Sequence, residues 1–406
     1  MTMGFLDKRN VVIGVGGGIA VYRVCELARL LMKRGACVRV VMTRNATEFV
    51  TPVTFQALTG QPVITDLFAE SGDAIFGHLE LGRSADLFIV APATANLIAR
   101  IRAGMGDDAV TTAVLAAPCP VLLAPAMNTR MWENRQVQEN VRALLADPRF
   151  SQVGPESGTL AEGIVGAGRL SEPPDIVEAA EALLAPKDMG GWKVLVTAGP
   201  TREHLDPVRF ISNPSSGRMG YAVARAALQR GAQVTLVTGP TELKPPAGAE
   251  VVRVVSAEEM AEQVLARVAG LDLFVSVAAV ADQRPKVRAA QKVKKGEGEE
   301  MIALVRTPDI LARAAAEASG ERRPLFVGFA AETEQVLENA AEKLRRKGID
   351  LIAANDLTEA GSGFGTATNR LTLIDREGAK TELPAMSKED AAHGLLERVI
   401  ALRRSS

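Results

Sequence analysis

The sequence predicts an α/β protein made of two tandem doubly wound, Rossmann-like domains. Three observations support this fold class. Continuous apolar strands alternate with helical segments, a pattern typical of parallel sheets that are covered on both faces. The same order of strand, Gly-rich turn and helix begins near residue 10 and again near residue 192. A chain of 406 residues is also too long for a single hydrophobic core.

A Pro/Gly-rich segment separates the two halves. A helix is predicted to end near Ala185, and the sequence "PKDMGG" follows it. We therefore place the boundary near residue 188, with one domain over 1–188 and the other over 189–406. The likeness of the halves fits convergence on one fold as well as duplication, so duplication is not inferred.

Composition and charge exclude several classes of function. The formal net charge is −1, which gives no overall field for nucleic acid or a membrane surface. The three cysteines are widely spaced and form no CxxC pair, so neither a disulfide framework nor a zinc site is predicted. No stretch resembles a signal peptide or a membrane-spanning helix. We expect a reducing, cytoplasmic location.

The first half opens with an apolar strand and the turn "GVGGGIA". Ligands of open α/β sheets bind at the carboxyl ends of the strands, so Gly16, Gly17 and Gly18 would let backbone N–H groups approach a phosphate. The turn lacks the GxGxxG spacing of dinucleotide sites, and Thr43 and Arg44, not an acid, follow the second strand. This pattern favours FMN over NAD, with a purely structural turn as the alternative.

Two later strands of this half end in similar polar tips. "APATAN" places Thr94 and Asn96 where they would either bind an isoalloxazine edge or cap a helix. "APAMN" places Asn128 after the next strand, so both tips are expected to face one pocket. His78 is predicted just before a helix that precedes the strand "ADLFIVAPATA". A lone histidine in such a place is more often a capping or surface residue than a catalytic one.

These segments carry a resemblance to a known family. "GHLELGRSADLFIVAPATANLIARIRAGMGDD" and "LLAPAMNTRMW" resemble the flavin-dependent cysteine decarboxylases, from Val11 to about Pro173. The match is closest to the decarboxylase half of the bifunctional coenzyme A biosynthesis family. The resemblance implies FMN-dependent conversion of 4′-phospho-N-pantothenoylcysteine to 4′-phosphopantetheine. It also implies that His78 is a catalytic histidine and that Asn128 binds the substrate carboxylate.

The second half contains a polar segment ahead of a helix predicted from about Gly217. "VTAGPTREHLDPVRFISNPSSGRMG" brings Arg209, Asn213 and a Ser-Ser-Gly run to that helix start, which is an anion site or a simple capping turn. Together with "AAVAD", "TPDIL", "VGFAAET", "KLRRKGIDLIAAND" and "GFGTATNRLTLID", this segment resembles the phosphopantothenate–cysteine ligases. The resemblance covers nearly all of residues 192–376.

The ligase resemblance implies a CTP-dependent reaction of the bacterial kind, in which cysteine attacks an acyl-cytidylate. Arg209 and Asn213 would stabilise charge during that attack. Asp282 would orient Mg2+ or the nucleotide, and Lys292 would be catalytic. The basic run around Lys292 is expected as a whole to be a solvated charged hairpin. The implied CTP-binding residues are Ala278, Asp282, Lys292, Pro308, Asp309, Ile310, Leu311, Phe329, Lys343 and Lys347.

One loop departs from the decarboxylase pattern. The stretch "SGTLAEGIVGAGR", Ser157 to Arg169, has no strand or helix period and carries a single acid, Glu162. It corresponds to the flap that closes over the substrate in the decarboxylases, many of which carry a cysteine, the acid of the final reduction, at this position. The cysteines of this chain lie elsewhere and are expected to be packing residues. Either Glu162 supplies the proton, or it faces solvent and another group does.

The combined prediction is a bifunctional enzyme that uses 4′-phosphopantothenate, cysteine and CTP. Two alternatives remain: a regulatory flavoprotein of the same fold that acts by binding a partner, and an oxidative peptidyl-cysteine decarboxylase that stops at the enethiol. The resemblance implies trimeric contacts in the first half and dimeric contacts in the second, hence a homo-oligomer, a dodecamer. An amphipathic helix is predicted from about Ser387, with His393 at the surface, and His204 is given no chemical role.

Overall fold

A computed structural model describes residues 4–67, 77–159, 163, 165–294, 301–318, 323–332, 335–356 and 368–405, without the side chains of 77–79, 331, 332, 356 and 405. The chain divides into two compact units, Met1–Ala185 and Pro186–Ser406. Both are α/β units, which confirms the predicted fold class. Among the described residues, no helix combines the length and apolar character needed to cross a membrane.

The first unit is built around a six-stranded parallel sheet. Its strands are β1 (Asn10–Val15), β2 (Cys37–Met42), β3 (Val63–Ile64), β4 (Leu87–Ala93), β5 (Val121–Pro125) and β6 (Phe150–Gln152). Their order is β3-β2-β1-β4-β5-β6, with parallel pairing throughout. The strand order reverses between β1 and β4, and in doubly wound sheets this switch point opens a crevice for ligands.

Helices cover both faces of this sheet. They are α1 (Val21–Lys33), α2 (Pro52–Thr59), α3 (Gly77–Ser84), α4 (Ala95–Ala103), α5 (Ala109–Ala116), α6 (Thr129–Trp132), α7 (Arg135–Leu145) and α8 (Pro173–Leu184). Along β1, Val11 and Ile13 pack in a core with α1 and α8, whereas Val12 packs in a second core with α4 and α5. Burial on both faces explains why the central strands β4 and β5 are apolar at every position.

Three local features of this unit differ from what the sequence predicts or were not predicted. His78 lies inside the first turn of α3 instead of before a helix. The two-residue strand β3 was not predicted, because two residues carry no period. The stretch Ser157–Arg169 is not irregular throughout, since an antiparallel ribbon forms between β7 (Glu156–Thr159) and β8 (Val165–Arg169). Backbone groups alone make that pairing, so it leaves no apolar alternation in a Gly-rich sequence.

The second unit contains an eight-stranded sheet and two small ribbons. Its strands are β9 (Lys193–Ala198), β10 (Arg202–His204), β11 (Phe210–Ser212), β12 (Gln233–Thr238), β13 (Glu250–Arg253), β14 (Leu273–Ser276), β15 (Gln283–Pro285), β16 (Leu304–Arg306), β17 (Leu325–Glu332), β18 (Leu351–Asp356), β19 (Thr368–Asp375) and β20 (Lys380–Ser387). The sheet order is β13-β12-β9-β14-β17-β18-β19-β20, and the last two strands are antiparallel. The β10–β11 and β15–β16 ribbons stand apart from it.

The helices of this unit are α9 (Arg218–Gln229), α10 (Ala257–Leu265), α11 (Ile310–Glu317), α12 (Val336–Lys347) and α13 (Lys388–Ser405). α9 begins directly after Gly217, as predicted. The antiparallel β15–β16 pair confirms the base of the predicted charged hairpin. His393 is not a surface residue, because α13 packs against α9 and leaves this side chain only 5% exposed.

Candidate functional sites

A cavity of about 1220 Å³ lies in the first unit at the carboxyl ends of β1, β2, β4 and β5. Its volume is ample for a bound cofactor together with a small substrate. The residues that line it include most of those predicted to bind FMN, and also Asn128. These residues are Gly17, Gly18, Thr43, Thr94, Asn96 and Asn128. The polar strand tips therefore do meet at one pocket.

Gly16 does not line this cavity, although it was predicted to contact the cofactor. It is buried, and a Cβ atom at this position would lie 2.4 Å from the carbonyl oxygen of Pro92. At Gly17 a Cβ would lie 2.5 Å from the Cβ of Asn45. Both positions therefore have to be glycine for the turn to pack between β4 and the segment after β2. Gly16 is held by close packing, and the turn presents Gly17 and Gly18 to the cavity; a contact of Gly16 with the cofactor stays a prediction.

The side-chain oxygens at the strand tips cap the elements that follow. Thr43 accepts a hydrogen bond from the N–H of Ala46 at the start of a short 3-10 helix, and Thr94 accepts one from the N–H of Leu97 in α4, each at 3.3 Å. The capping alternative for Thr94 is thus observed. It leaves each threonine hydroxyl a proton to donate into the cavity.

Asn128 is held in the same way. Its Oδ1 accepts a 2.8 Å hydrogen bond from the N–H of Arg130, which orients the side chain at the start of α6. The sequence indicated this position by the tip pattern and by the family resemblance. The cap supplies the physical reason for a fixed amide at the wall of the cavity.

The cavity wall carries several arginines, three of which are paired. Arg100 lies 3.3 Å from Asp107 and 3.0 Å from Asp108. Arg23 and Arg169 both bond to Glu172. The hydrogen bond from Arg23 is the main reason why the pKa of Glu172 is lowered, and the same bond raises the pKa of Arg23.

Arg44 differs from these cations. Its side chain is exposed beside Thr43 at the cavity, and the described part of the chain offers it no ion pair. A guanidinium without a carboxylate partner, next to a hydroxyl and a glycine turn, suits a phosphate group. The sequence patterns did not assign Arg23 or Arg169 to the site, because Arg23 lies in an ordinary helix and Arg169 only ends the Gly-rich stretch. Both side chains reach the cavity through the fold.

The β7–β8 ribbon rests directly on the loop that carries Asn128. The N–H of Met127 donates to the carbonyl oxygen of Gly168 at 2.9 Å. Gly168 has φ of +144°, and a Cβ there would lie 2.2 Å from the carbonyl oxygen of Met127. Thr159 and Arg169 of the ribbon line the cavity. The described strands of the Gly-rich stretch are therefore part of this site.

Two predicted catalytic groups cannot be placed at the cavity. The backbone of His78 belongs to α3, but its side chain is outside the described residues, as is the whole of Glu162. Their roles stay predictions.

In the second unit, hydrogen bonds gather several predicted residues near the carboxyl end of β14. Asn213 donates through Nδ2 to the carbonyl oxygen of Val280 at 3.0 Å. The N–H of Ala278 donates to the Thr197 hydroxyl at 3.3 Å, and the N–H of Thr307 donates to the carbonyl oxygen of Asp282 at 3.1 Å. The segment after β14 thus meets both the Asn213 loop and the start of Pro308–Leu311.

The predicted residues around α11 have unequal access to a ligand. Asp309 caps α11 by accepting from the N–H of Ala312, and it also pairs with Lys347 at 2.8 Å. Ile310 and Leu311 are buried in the core, so only their backbone could meet a nucleotide. Lys343 and Phe329 are half-buried. The side chains of Asp309, Ile310 and Leu311 are thus engaged within the protein, so fewer of the predicted CTP-binding side chains than expected are exposed to a ligand.

Asp282 and Lys292 are both exposed. Among the described residues, no group of three His, Cys, Asp or Glu side chains could hold a metal ion, and the role of Asp282 toward Mg2+ stays a prediction. Arg209 reaches toward the Lys292 loop, because its guanidinium donates to the carbonyl oxygen of Val293 at 3.1 Å.

The residues that follow the carboxyl ends of β9 and β12 approach each other closely. A Cβ atom at Gly239 would lie 1.8 Å from the carbonyl oxygen of Pro200. Beside them, the Ser-Ser-Gly run forms a hydrogen-bonded turn, in which the N–H of Gly217 donates to the Ser215 hydroxyl at 3.3 Å. The turn is therefore observed, but no side chain of the described residues caps the start of α9, and anion binding at this helix start stays a prediction.

Comparison with known proteins divides the chain at the same place. Residues 3–185 match the family model described as flavoprotein, and residues 189–402 match the DNA/pantothenate metabolism flavoprotein C-terminal domain. The chain is 47% identical over 399 residues to the coenzyme A biosynthesis bifunctional protein CoaBC of Vibrio cholerae serotype O1, covering 98% of this chain and 99% of that protein. It is 45% identical over 407 residues to the protein of the same name from Bacillus subtilis, covering 99% of each.

Solved structures resemble each half. The crystal structure of the C-terminal domain of a CoaBC protein is 39% identical and covers 54% of this chain and 100% of that one, with a TM-score of 0.46. A PPC decarboxylase mutant complexed with pantothenoylaminoethenethiol is 28% identical and covers 43% of this chain and 96% of that one, with a TM-score of 0.39.

Proposed function

Because this chain belongs to the family of coenzyme A biosynthesis bifunctional proteins, we propose that its second half makes the substrate of its first half. The chain as a whole is a phosphopantothenoylcysteine decarboxylase and a phosphopantothenate–cysteine ligase. In this proposal residues 189–406 join 4′-phosphopantothenate to cysteine with CTP, through an acyl-cytidylate. Residues 1–188 then convert 4′-phospho-N-pantothenoylcysteine to 4′-phosphopantetheine with FMN.

One observation carries the decarboxylase assignment: the tips after β1, β2, β4 and β5 converge on a single cavity. Its residues fit FMN. Gly17 and Gly18 allow backbone N–H groups to approach a phosphate, and Thr43 and Arg44 add a hydroxyl and a cation that has no ion pair among the described residues. Thr94 and Asn96 would face the flavin ring. When bound, FMN would accept a hydride from the cysteine side chain of the substrate and later return it.

The residues of this chain would bind and orient the substrate. Asn128 would donate its amide to the carboxylate that is lost, held in place by the cap on α6. His78 would act as the catalytic histidine. The paired Arg23 and Arg169 would fix the wall of the cavity through Glu172, so that they are less available than Arg44 for a phosphate.

In the ligase half, positive charge would bind the triphosphate and polar groups would stabilise the acyl transfer. Lys292, Lys343 and Lys347 would neutralise phosphate oxygens, with Arg209 and Asn213 near the reacting carbonyl. Asp282 would bind Mg2+ together with the phosphates of CTP, since Mg2+ in nucleotide sites needs only one or two protein carboxylates.

We also propose that the chain works in the cytoplasm as a homo-oligomer, a dodecamer. Apolar side chains beside the cavity support contacts between copies, since Ile19 is 62% and Tyr22 is 64% exposed. In the second unit Val208 and Phe210 are 58% and 41% exposed. Light scattering on the purified protein measures the number of subunits directly.

The proposal is tested with the purified full chain. We expect yellow flavin absorbance and the formation of 4′-phosphopantetheine from 4′-phosphopantothenate, cysteine, CTP and Mg2+. A colourless protein that does not bind FMN would overturn the first half of the proposal. Flavin binding without turnover would favour the regulatory flavoprotein. A product lighter by two hydrogen atoms would identify the oxidative decarboxylase that stops at the enethiol.

Glu162→Gln tests whether this glutamate is the acid of the final reduction. We expect formation of 4′-phosphopantetheine to fall about a hundredfold, the lower end of the range for general acids, while the enethiol accumulates. Quenched-flow sampling with mass spectrometry measures both species. Glu156→Gln is the control, because this acid lies in β7 of the same ribbon and has no assigned role. Full activity of Glu162→Gln would show that another group donates the proton.

A further inference from the structure

Asp206 lies between two segments that are distant in sequence, and its side chain is fully buried. Oδ1 accepts hydrogen bonds from the N–H groups of Val208 and Arg209, both at 2.8 Å. Oδ2 accepts from Nε of Arg209 at 2.9 Å and from the N–H of Val293 at 3.2 Å. Val293 directly follows Lys292. One carboxylate thus joins the Arg209 side chain to the backbone beside Lys292.

The two oxygens of Asp206 have different partners. Oδ1 closes a local turn from Asp206 to Arg209, whereas Oδ2 makes the long-range connection. The guanidinium of Arg209 also donates to the carbonyl oxygen of Val293 at 3.1 Å, so Asp206, Arg209 and Val293 form a closed ring of hydrogen bonds. A further bond, from the N–H of Ala289 to the carbonyl oxygen of Leu205 at 2.9 Å, ties the same two segments.

The pKa of the Asp206 carboxyl is held well below its usual range. The hydrogen bond from the N–H of Arg209 lowers this pKa most. Hydrogen bonds from the N–H of Val208, the Arg209 side chain and the N–H of Val293 lower it further, whereas burial of the carboxylate raises it. The carboxylate is therefore charged throughout the neutral pH range, and all of its hydrogen bonds are charge-assisted.

We propose that Asp206 is a positioning residue of the ligase, which fixes Arg209 and Lys292 relative to each other. The inference rests on the proposed function in one respect, namely that Arg209 and Lys292 take part in ligation. Lys292 is exposed and lies outside the strands of the β15–β16 ribbon. Anchoring both backbone groups of the next residue restrains the Cα of Lys292, and small displacements of catalytic groups are costly in rate.

Asp206→Asn separates the two roles of this side chain. The amide oxygen can replace Oδ1 and keep the local turn, but the amide nitrogen cannot accept from Arg209 or Val293. We expect kcat for ligation to fall about thirtyfold and the KM for CTP to rise, with an unchanged KM for cysteine. Decarboxylation of supplied 4′-phospho-N-pantothenoylcysteine should be unchanged, because the other unit performs it.

Asp350→Asn is the matched control. Asp350 is also buried, at 8% exposure, pairs with Arg323 and Arg376, and accepts from the N–H of Phe326 at 2.8 Å. Asp350 lies at the amino ends of β17 and β18, whereas the predicted ligase site lies near the carboxyl end of β14. We expect this variant to lower the melting temperature at least as much as Asp206→Asn and to leave the ligation constants unchanged. If kcat for ligation falls equally in both variants, Asp206 only stabilises the second unit, and the proposal is overturned.

Lys292→Ala and the double variant complete the test. If Asp206 acts through Lys292, adding Asp206→Asn to Lys292→Ala should cost much less than thirtyfold. If the losses of ligation rate in the two single variants multiply fully in the double variant, the proposal is contradicted. Normal ligation by Lys292→Ala would instead show that the proposed function of Lys292 is wrong. Where Asp206→Asn does not fold, Val293→Pro removes one donor to Oδ2 from an exposed position and is expected to impair ligation in the same way; wild-type kinetics in that variant would also overturn the inference.

Discussion

Asn128→Asp is expected to slow decarboxylation about a thousandfold without unfolding the first unit. The aspartate keeps an oxygen for the N–H of Arg130, so the cap on α6 survives. It also replaces an amide donor with a negative charge in the cavity that we propose binds the substrate carboxylate. Loss of a hydrogen bond to a charged group costs about 1.5–3 kcal/mol, and repulsion between like charges adds to it. A total of about 4 kcal/mol corresponds to a thousandfold change in rate.

The measurement is single-turnover decarboxylation of 4′-phospho-N-pantothenoylcysteine, together with flavin absorbance as a test of cofactor binding. Asn134→Asp is the control, since Asn134 caps α7 in the same way, accepting from the N–H of Gln136 at 3.0 Å. Asn134 is not among the residues that line the cavity. We expect the control to decarboxylate normally. A rate for Asn128→Asp within about threefold of the wild-type rate would refute the proposed role of Asn128.

Gly239→Ala is expected to destabilise the second unit, so that ligase activity is lost under milder unfolding conditions than in the wild type. The added Cβ would meet the carbonyl oxygen of Pro200 at 1.8 Å, and a backbone atom cannot rotate out of the way as a side chain can. The residues that follow β9 and β12 would have to separate. Thr201, next to Pro200, accepts from the N–H of Ala281 at 3.0 Å, so the displacement would reach the segment that carries Asp282. We expect the free energy of unfolding to fall by about 3 kcal/mol or more.

Urea unfolding of the full chain, followed separately by ligase and decarboxylase activity, measures this effect. We expect decarboxylation to persist at urea concentrations that already abolish ligation. Gly270→Ala is the control, because φ at this position is +79° but no atom of the described residues would lie within 4 Å of the added methyl group. It should cost only the backbone strain of about 1–2 kcal/mol. A stability of Gly239→Ala equal to that of the control would contradict the steric argument.

Much of the first site could be predicted from the sequence, because the carboxyl ends of parallel strands always meet at one edge of the sheet. That rule alone brings Thr43, Thr94 and Asn128 together. It does not distinguish Gly17, which faces the cavity, from Gly16, which packs against Pro92. That distinction depends on the path of β4, and the sequence of the turn does not contain it.

Other features depend on tertiary contacts that leave no local pattern. The β7–β8 ribbon forms through backbone hydrogen bonds and rests on Met127 through Gly168, so its side chains show no period. His393 is polar yet buried, because α13 packs against α9. The bond from Val293 to Asp206 joins residues 87 positions apart, and the local sequence "LDPVR" indicates only a turn.

The separation of the two units has a genetic consequence. Each unit has two hydrophobic cores of its own. The cores of the first unit contain only residues up to Ala185, and those of the second unit contain only residues from Pro186 onward. A lesion in one half should therefore leave the other half active, and the intermediate is a small molecule that can diffuse between protein copies. Two alleles that each impair one reaction, Asn128→Asp and Lys292→Ala, are then expected to complement each other in one cell, although growth that depends on this enzyme should be poor with either allele alone.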